Sequence, residues 1–225
     1  MENIIDLGKW VVPESWDELD LKTFQKIEEY YADKGKEFDV RDVLHIFTNH
    51  TIDEINSLPM EFSDKILNEL SWLGEEPKYG EPTNVIKIDG VEYKVNVQEK
   101  LKTGEFVAVD TILKNDRHNY AAILAILCRK EGEVYDSKFE NEVIPIRIEL
   151  FERQSMMNVM PIITFFLTLW VTLNQVTQLS SKAMEAIDHT ARHIETLRKN
   201  GEISKRSMKS AMKKLKKLER SIKSI

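Results

Sequence analysis

The stretch that decides the fold is Gln154–Ser181, QSMMNVMPIITFFLTLWVTLNQVTQLSS, because it contains no charged residue. The chain around it is strongly polarised. Residues 1–150 hold 18 Lys and Arg against 32 Asp and Glu, a net charge of −14, whereas residues 151–225 hold 14 against 6, a net charge of +8. An uncharged helix between an acidic and a basic part indicates a protein that sits between other molecules, rather than an enzyme built around a cleft.

The length of this stretch would allow a membrane span, which needs about 20 apolar residues. Its composition argues against one, because Asn, Thr, Gln and Pro interrupt it and the densest apolar part is only Val159–Leu173. We therefore predict a core or interface helix, with Asn158 as the N-cap and Pro161 in the first turn. The predicted interface residues are Phe165, Phe166, Leu167, Trp170 and Leu173, and we expect Leu167, Trp170 and Leu173 to be buried.

The 225-residue chain is long enough for one large domain, or for one domain with an extension, and 42% hydrophobic residues are typical of a globular protein. The N-terminal sequence MENIIDLGKW is acidic and lacks the apolar core of a signal peptide. The single cysteine, Cys128, excludes an internal disulfide and a zinc site made only of cysteines. It lies in the apolar run YAAILAILCR, which predicts a small core residue.

Helix signals recur in the first part of the chain. Ser15 and Thr51 are each followed three residues later by Glu, the pattern of a capping box. Apolar periodicity predicts helices over about 21–32, from Asp39 onward, and over about 61–73. Further helices are predicted over 104–114, capped by Thr103, and from Asp116 or Asn119 through Arg129, followed by a polar loop over 131–141.

One β-hairpin stands out among these helices, in the sequence VIKIDGVEYKVNV. Asp89-Gly90 is a favoured two-residue type I′ turn, and alternating apolar residues run on either side of it, from Ile86 to Val97. The predicted fold class is therefore mainly α with one β-hairpin, followed by a long C-terminal helical hairpin.

The C-terminal third has the spacing of two amphipathic helices joined at Asn200-Gly201, with Ser204 as the second N-cap. The last helix carries a dense set of cations, which predicts contact with an anionic partner or an outer solvated face. The predicted anion- or partner-binding residues are Lys205, Arg206, Lys209, Lys213, Lys214, Lys216, Lys217 and Arg220. This helix has no aromatic residue, so a nucleic acid would be bound through phosphates, without sequence preference.

Catalytic and metal-binding motifs are absent from the sequence. It contains no P-loop, no G-x-S-x-G, no G-x-G-x-x-G and no paired Cys/His framework. Glu185, His189 and His193 follow one another at four-residue intervals, so His189 and His193 are weak metal candidates whose alternative is a solvated helix flank. We predict no enzymatic activity, no catalytic residue and no cofactor.

Four segments together resemble the tail-assembly-chaperone-like and virion-associated proteins of tailed bacteriophages, in particular those of the crAss-like gut phages. They are PESWDELDLKTFQKI at 13–27, IKIDGVEYKV at 86–95, EKLKTGEFVAVDTILKN at 99–115 and AAILAILCRKEGEVYDS at 121–137. The resemblance covers about residues 13–173 and implies a small α-rich protein without catalytic residues. The basic helical hairpin departs from a simple chaperone and would suit a component that stays in the particle, near the portal or tail.

The resulting expectation is a non-enzymatic phage assembly or virion component that acts through oligomeric protein contacts, located in the virion or the host cytoplasm. Its expected partners are other virion proteins and further copies of itself, as an oligomer or ring, with non-specific DNA contact open and no membrane span in the assembled state. The alternative is an internal cargo protein ejected with the genome, membrane-active or DNA-contacting through residues 154–225. The predicted segments are 1–75, 84–153 and 154–225.

Overall fold

The computed structural model describes residues 10–34, 39–96, 101–202 and 204–223. It is mainly helical, with one small antiparallel sheet and a long C-terminal helix pair, which confirms the predicted fold class. Two compact units are present, Met1–Phe166 and Leu167–Ile225, here called the N-terminal and C-terminal units. The three predicted segments remain a prediction.

Four helices open the N-terminal unit. They are α1 (Leu21–Lys34), α2 (Val40–Thr48), α3 (Ile52–Asn56) and α4 (Met60–Glu69), followed by a 3₁₀ turn at Leu70–Gly74. The apolar faces of α2, α3 and α4 meet in one buried cluster formed by Val12, Val43, Leu44, Ile55, Ile66 and Leu70, against which Tyr30 of α1 packs. The predicted helix over 61–73 therefore tightens into a 3₁₀ turn in its last residues.

The predicted caps of these helices have different outcomes. Asp39 caps α2 through its side chain, and Thr51 and Glu54 form the predicted capping box at α3. The capping box predicted at Ser15 is wrong, because the Ser15 side chain accepts no hydrogen bond and the backbone enters a 3₁₀ turn at Trp16–Glu18. The residue before α1, Asp20, instead accepts a hydrogen bond from the Thr23 amide at 2.8 Å.

The predicted hairpin is confirmed as β1 (Val85–Ile88) and β2 (Val91–Val95), paired in antiparallel register. Asp89 and Gly90 have φ angles of 50° and 77°, as a type I′ turn requires. The buried strand residues are Ile86, Ile88, Tyr93 and Val95. Val97 lies outside the described residues.

A third strand, β3 (Cys128–Arg129), pairs with β2 and completes a sheet of order β1-β2-β3. The prediction of a helix through Arg129 is therefore wrong. The helix in question, α6 (Tyr120–Leu127), follows α5 (Thr103–Asn115) and ends at Leu127. Its last carbonyl accepts a hydrogen bond from the Asn96 amide at 2.8 Å, so pairing with the sheet replaces another helical turn.

Helix α6 is the centre of the N-terminal unit, since all eight of its residues are buried. It packs against α1, α5 and α7 (Ile144–Glu152). The polar loop predicted over 131–141 ends earlier than expected, because a short π-helix, Phe139–Val143, leads directly into α7. Phe139 is buried, and that packing supplies the reason for the early start.

Helix α8 (Met156–Lys199) starts two residues before the predicted N-cap, so Asn158 does not cap it and Pro161 lies inside the helix. Tertiary pairing sets this start. The Met156 amide donates to the Leu19 carbonyl at 2.9 Å, and the Leu21 amide donates to the Gln154 carbonyl at 2.8 Å. These bonds fix the backbone on both sides of Ser155, so the first helical residue is Met156.

The turn after α8 is the predicted one, at Asn200-Gly201. Gly201 has φ 77°, its amide donates to the Arg198 carbonyl, and the Glu202 amide donates to the Leu197 carbonyl. This double bond pattern is the Schellman motif. Ser204 then accepts a hydrogen bond from the Ser207 amide at 3.1 Å, confirming it as the cap of α9 (Lys205–Lys223).

Candidate functional site

The most pronounced surface feature of the C-terminal unit is the cationic side of α9. All eight predicted anion-binding residues are exposed, and they are here called the basic face: Lys205, Arg206, Lys209, Lys213, Lys214, Lys216, Lys217 and Arg220. The half-buried positions of the same helix are Met208, Ala211, Met212, Leu215, Glu219 and Ile222. Their three- and four-residue spacing separates an apolar stripe from the cations.

The basic face is not neutralised within the part of the chain that the structure describes. Among the ion pairs between described residues, the one on this helix joins Lys223 to Glu219 at 2.5 Å. That hydrogen bond, and the charge of Lys223, hold the pKa of the Glu219 carboxyl below its ordinary value. An uncompensated row of exposed cations raises the local concentration of anions, so this face is suited to a polyanionic partner.

A shallow groove of about 720 Å³ runs along α9. Met208 and Met212 form its apolar part, and five lysines and Arg220 line the rest. Methionine side chains adapt to irregular surfaces, and lysine stems add apolar area beneath their charges. The groove therefore offers both apolar contact and positive charge, a combination that an acidic amphipathic segment would match.

The predicted interface residues divide into two groups. Phe166 and Trp170 are buried, at 4% and 7% exposure, whereas Phe165 and Leu173 are exposed, at 38% and 62%. Leu167 is half-buried, so the expectation of full burial is wrong for Leu167 and Leu173 and confirmed for Trp170. Phe165 faces about 100° away from Phe166 on a helix. Leu173 lies seven residues after Phe166, in a part of α8 where most residues are exposed.

The exposed part of α8 that follows Trp170 carries no charged residue as far as Ser181. Among its apolar residues, Val171 is 54% exposed, Leu173 62%, Val176 38% and Leu179 67%. In the described residues α8 is long and apolar enough, by length and composition, to cross a membrane. The core helix of a soluble protein passes the same test, and 44% of the apolar window is buried inside the protein.

The three residues Glu185, His189 and His193 are not placed to hold one metal ion together. Glu185, His189 and His193 are all exposed on α8. Residues eight apart on a helix are separated by about 12 Å along its axis, so Glu185 and His193 cannot converge on one ion. Within the described ranges no group of three His, Cys, Asp or Glu side chains is placed to hold a metal.

A buried cluster of two ion pairs, which the sequence did not predict, lies in the N-terminal unit. Arg129 of β3 pairs with Glu105 of α5, whose carboxylate is fully buried. Arg147 of α7 pairs with Glu133 at 2.7 Å and donates a second hydrogen bond to the Cys128 carbonyl at 2.8 Å. The two pairs join α5, β3 and α7 across the end of the sheet.

Aromatic rings lie against both arginines. The Phe139 ring centre lies 5.6 Å from the Arg129 guanidinium carbon and 5.1 Å from that of Arg147. Tyr135 contacts Arg129, and Tyr93 contacts Arg147, at 5.6 and 5.1 Å. Cation–π contact offsets part of the hydration free energy that the arginines lose on burial. These contacts favour a packing role for the cluster.

A groove of about 530 Å³ lies beside Arg147, and two of the charged side chains that line it, Arg147 and Glu133, are paired with each other. Burial raises the pKa of the Glu133 carboxyl, but the hydrogen bonds from Arg147 and from the Lys130 amide outweigh this, so the pKa lies below its ordinary value. The nearby Cys128 is fully buried, and burial raises its thiol pKa. A buried thiol of raised pKa is a poor nucleophile, which favours a structural role.

One signal in the sequence could have revealed this cluster. Arg129 follows an apolar run of nine residues, and Arg147 stands between Ile146 and Ile148. A cation placed among core residues requires a buried partner. The partner's identity does not follow from the sequence, because Glu105 is 24 positions away from Arg129 in a chain rich in carboxylates.

Comparisons with protein-family models, with curated proteins and with solved structures found no significant match.

Proposed function

We propose that this chain is a non-enzymatic assembly or virion component of a tailed bacteriophage, acting through oligomeric protein contacts near the portal or tail. The resemblance of residues 13–173 to tail-assembly-chaperone-like proteins supports the phage context. The observation that carries the mode of action is the division of charge between two units. The N-terminal unit has a net charge of −14 and the C-terminal unit a net charge of +8.

Such a division gives one molecule two surfaces of opposite charge. Electrostatic complementarity speeds association and sets the orientation of docked proteins. A component with an acidic unit and a basic helix can therefore bridge unlike neighbours, or pair basic face to acidic unit in adjacent copies of a ring. The pairing of Arg147 with Glu133 and the buried thiol of Cys128 favour this function over catalysis.

Mass spectrometry of purified particles of the encoding phage tests the proposed function. We expect the chain to be present in a fixed copy number relative to the portal protein, and to co-purify with virion proteins during assembly. Its absence both from particles and from assembly intermediates would contradict the proposal.

A second candidate function is a cargo protein ejected with the genome. It is favoured by the length and apolar composition of α8, which would permit insertion into a membrane. Vesicle flotation distinguishes the two candidates, since a structural component stays with the protein fraction whereas a membrane-active cargo floats with the lipid.

Replacing Lys213, Lys214, Lys216 and Lys217 by glutamine is expected to leave α9 helical and to weaken the binding of an anionic partner. If duplex DNA is that partner, the slope of log K against log salt should flatten by about 0.9 for each phosphate that the variant no longer neutralises. Binding to a short duplex of arbitrary sequence would be measured by fluorescence anisotropy over a range of salt concentrations.

The matched control replaces four exposed lysines of the N-terminal unit, Lys65, Lys78, Lys87 and Lys138, by glutamine. The change in total charge is the same, and the DNA slope should not move. An unchanged slope in the α9 variant would exclude DNA and leave an acidic protein surface, for which the N-terminal unit of a neighbouring copy is the nearest example.

A further inference from the structure

The uncharged segment, residues 167–181 of α8, has an apolar face of its own. Leu169, Leu173, Val176 and Ser180 follow one another at intervals of four, three and four residues. The same spacing continues along α8 through Ala183, Ile187, Thr190, Ile194 and Leu197. One heptad stripe therefore runs through most of the C-terminal unit's part of α8.

Burial changes abruptly along this stripe. Ala183, Ile194 and Leu197 are half-buried, and Ile187 is only 7% exposed. Upstream, Leu173 and Val176 are 62% and 38% exposed. The difference lies in what surrounds the helix, because the residue spacing does not change.

The length of α9 accounts for the position of this change. Helix α9 has 19 residues and follows the turn at Asn200-Gly201. An antiparallel helix of that length can cover a similar length of α8, about 28 Å, and therefore reaches back to about residue 181. The uncharged segment lies immediately N-terminal to the part of α8 that α9 can cover.

We infer that the uncharged segment is a self-association interface, covered by the same segment of a second copy. This inference rests on the proposed function, in which oligomeric contacts are the mode of action, and it names one of those contacts. The second copy would continue the heptad packing upstream of the part that α9 can cover.

Two observations favour a second copy over other occupants. Residues 154–181 contain no charge, so identical segments can lie side by side without repulsion. The second observation is continuity, because the exposed part of the stripe has the same heptad register as its buried part. Heptad helices pack best on helices of like spacing. An acidic partner is disfavoured, because this segment contains no cation with which it could form an ion pair.

A lipid bilayer fits the segment less well. Its 15 residues measure about 22 Å as a helix, shorter than the hydrocarbon core of about 30 Å. Charged residues follow immediately, at Lys182, Glu185 and Asp188. Thr172, Asn174, Gln175 and Gln178 are better suited to the edges of a helix–helix interface than to lipid.

The decisive experiment compares two double variants of the full chain. Leu173→Glu with Val176→Glu places two carboxylates on the stripe, whereas Gln175→Glu with Gln178→Glu places two carboxylates, also three residues apart, on the far side. All four residues are exposed on the single chain, so both variants should fold. Native mass spectrometry and sedimentation give the oligomeric state, and circular dichroism gives the helix content.

We expect an oligomer for the wild type and for the far-side variant, and a monomer of unchanged helix content for the stripe variant, with its dissociation constant raised at least a hundredfold. A monomeric wild type, or equal effects of the two variants, would overturn the inference. Loss of helix content in the stripe variant alone would also overturn it, because the stripe would then be needed within one chain.

Cysteine cross-linking tests the face independently of charge. The only native cysteine, Cys128, is buried and its thiol pKa is raised, so it should not react. Under mild oxidation Val176→Cys should form a disulfide-linked dimer and Gln178→Cys should not, because a disulfide requires Cβ atoms within about 4.5 Å. Equal cross-linking at both positions would count against the proposed face.

Failure of this inference and failure of the proposed function have different signatures. A wild type that is monomeric in solution but present in purified particles overturns self-association and leaves the virion role intact. A monomer that floats with phosphatidylcholine and phosphatidylglycerol vesicles, and loses flotation on Leu173→Glu, makes lipid the occupant and overturns the inference. An oligomer that is absent from particles and assembly intermediates supports the interface and contradicts the virion role.

Discussion

Replacing Arg129 by methionine is expected to destabilise the N-terminal unit by about 3–5 kcal/mol, because it leaves a buried carboxylate without its partner. The Glu105 side chain is fully buried, and 12% of the Arg129 side chain is exposed. Among the described residues, the Lys102 amide would still donate a hydrogen bond to Glu105, at 2.5 Å. Urea unfolding followed by tryptophan fluorescence would measure the loss of stability, since Trp16 and Trp72 lie in this unit.

The double variant Arg129→Met with Glu105→Leu separates charge from packing. Removing both charges should restore most of the stability, because well-packed apolar replacements of a buried ion pair are often neutral or stabilising. If the double variant is as unstable as Arg129→Met alone, the interaction that Arg129 supplies is not electrostatic. Lys114→Met removes an exposed ion pair with Asp110 and should change stability by less than about 1 kcal/mol.

Replacing Phe151 by alanine is expected to cost about 3–5 kcal/mol, through reduced burial and the cavity that remains. Phe151 is fully buried at the end of α7, and its ring meets the Tyr93 ring edge-on at 5.9 Å between centroids. The substitution would therefore loosen the packing between α7 and the sheet. The free energy of unfolding in urea measures this effect.

Ile146→Ala is the control for the same helix, because Ile146 is 72% exposed. It should change stability by no more than about 0.5 kcal/mol. A loss below about 1 kcal/mol for Phe151→Ala would show that the site collapses around the missing ring, and that α7 is not held by it.

These two predictions concern the N-terminal unit, whereas the proposed contacts lie in the C-terminal unit. The ion pairs and the Phe151–Tyr93 contact join α5, α7 and the sheet around the fully buried helix α6. A well-packed N-terminal unit can carry assembly contacts without a catalytic cleft. Substitutions on the basic face or on the uncharged segment should therefore alter binding to partners. They should leave the urea concentration at which the N-terminal unit unfolds unchanged.

Local patterns were sufficient for several elements. The type I′ turn at Asp89-Gly90, the capping box at Thr51 and the Schellman turn at Gly201 each depend on a few neighbouring residues. The two-residue hairpin requires positive φ at both turn positions, which Asp and Gly tolerate. Such elements can be predicted from sequence because the interactions that fix them are local.

Elements fixed by distant contacts were missed. The start of α8 depends on backbone bonds from Met156 and Gln154 to Leu19 and Leu21, and β3 exists because Cys128 pairs with Val95. The pairing of Arg129 with Glu105 likewise joins residues 24 positions apart. Nothing local distinguishes these partners from the many other amides and carboxylates of the chain.

The sequence by itself determined the helical character, the hairpin, the opposite charges of the two parts and the heptad stripe along α8, since periodicity and charge are properties of the chain. Only the tertiary structure decided which part of that stripe is covered. Leu173 and Val176 are apolar like Ile187, yet they are exposed and Ile187 is buried. Burial depends on which element lies opposite a residue, and the residue's own chemistry does not fix that.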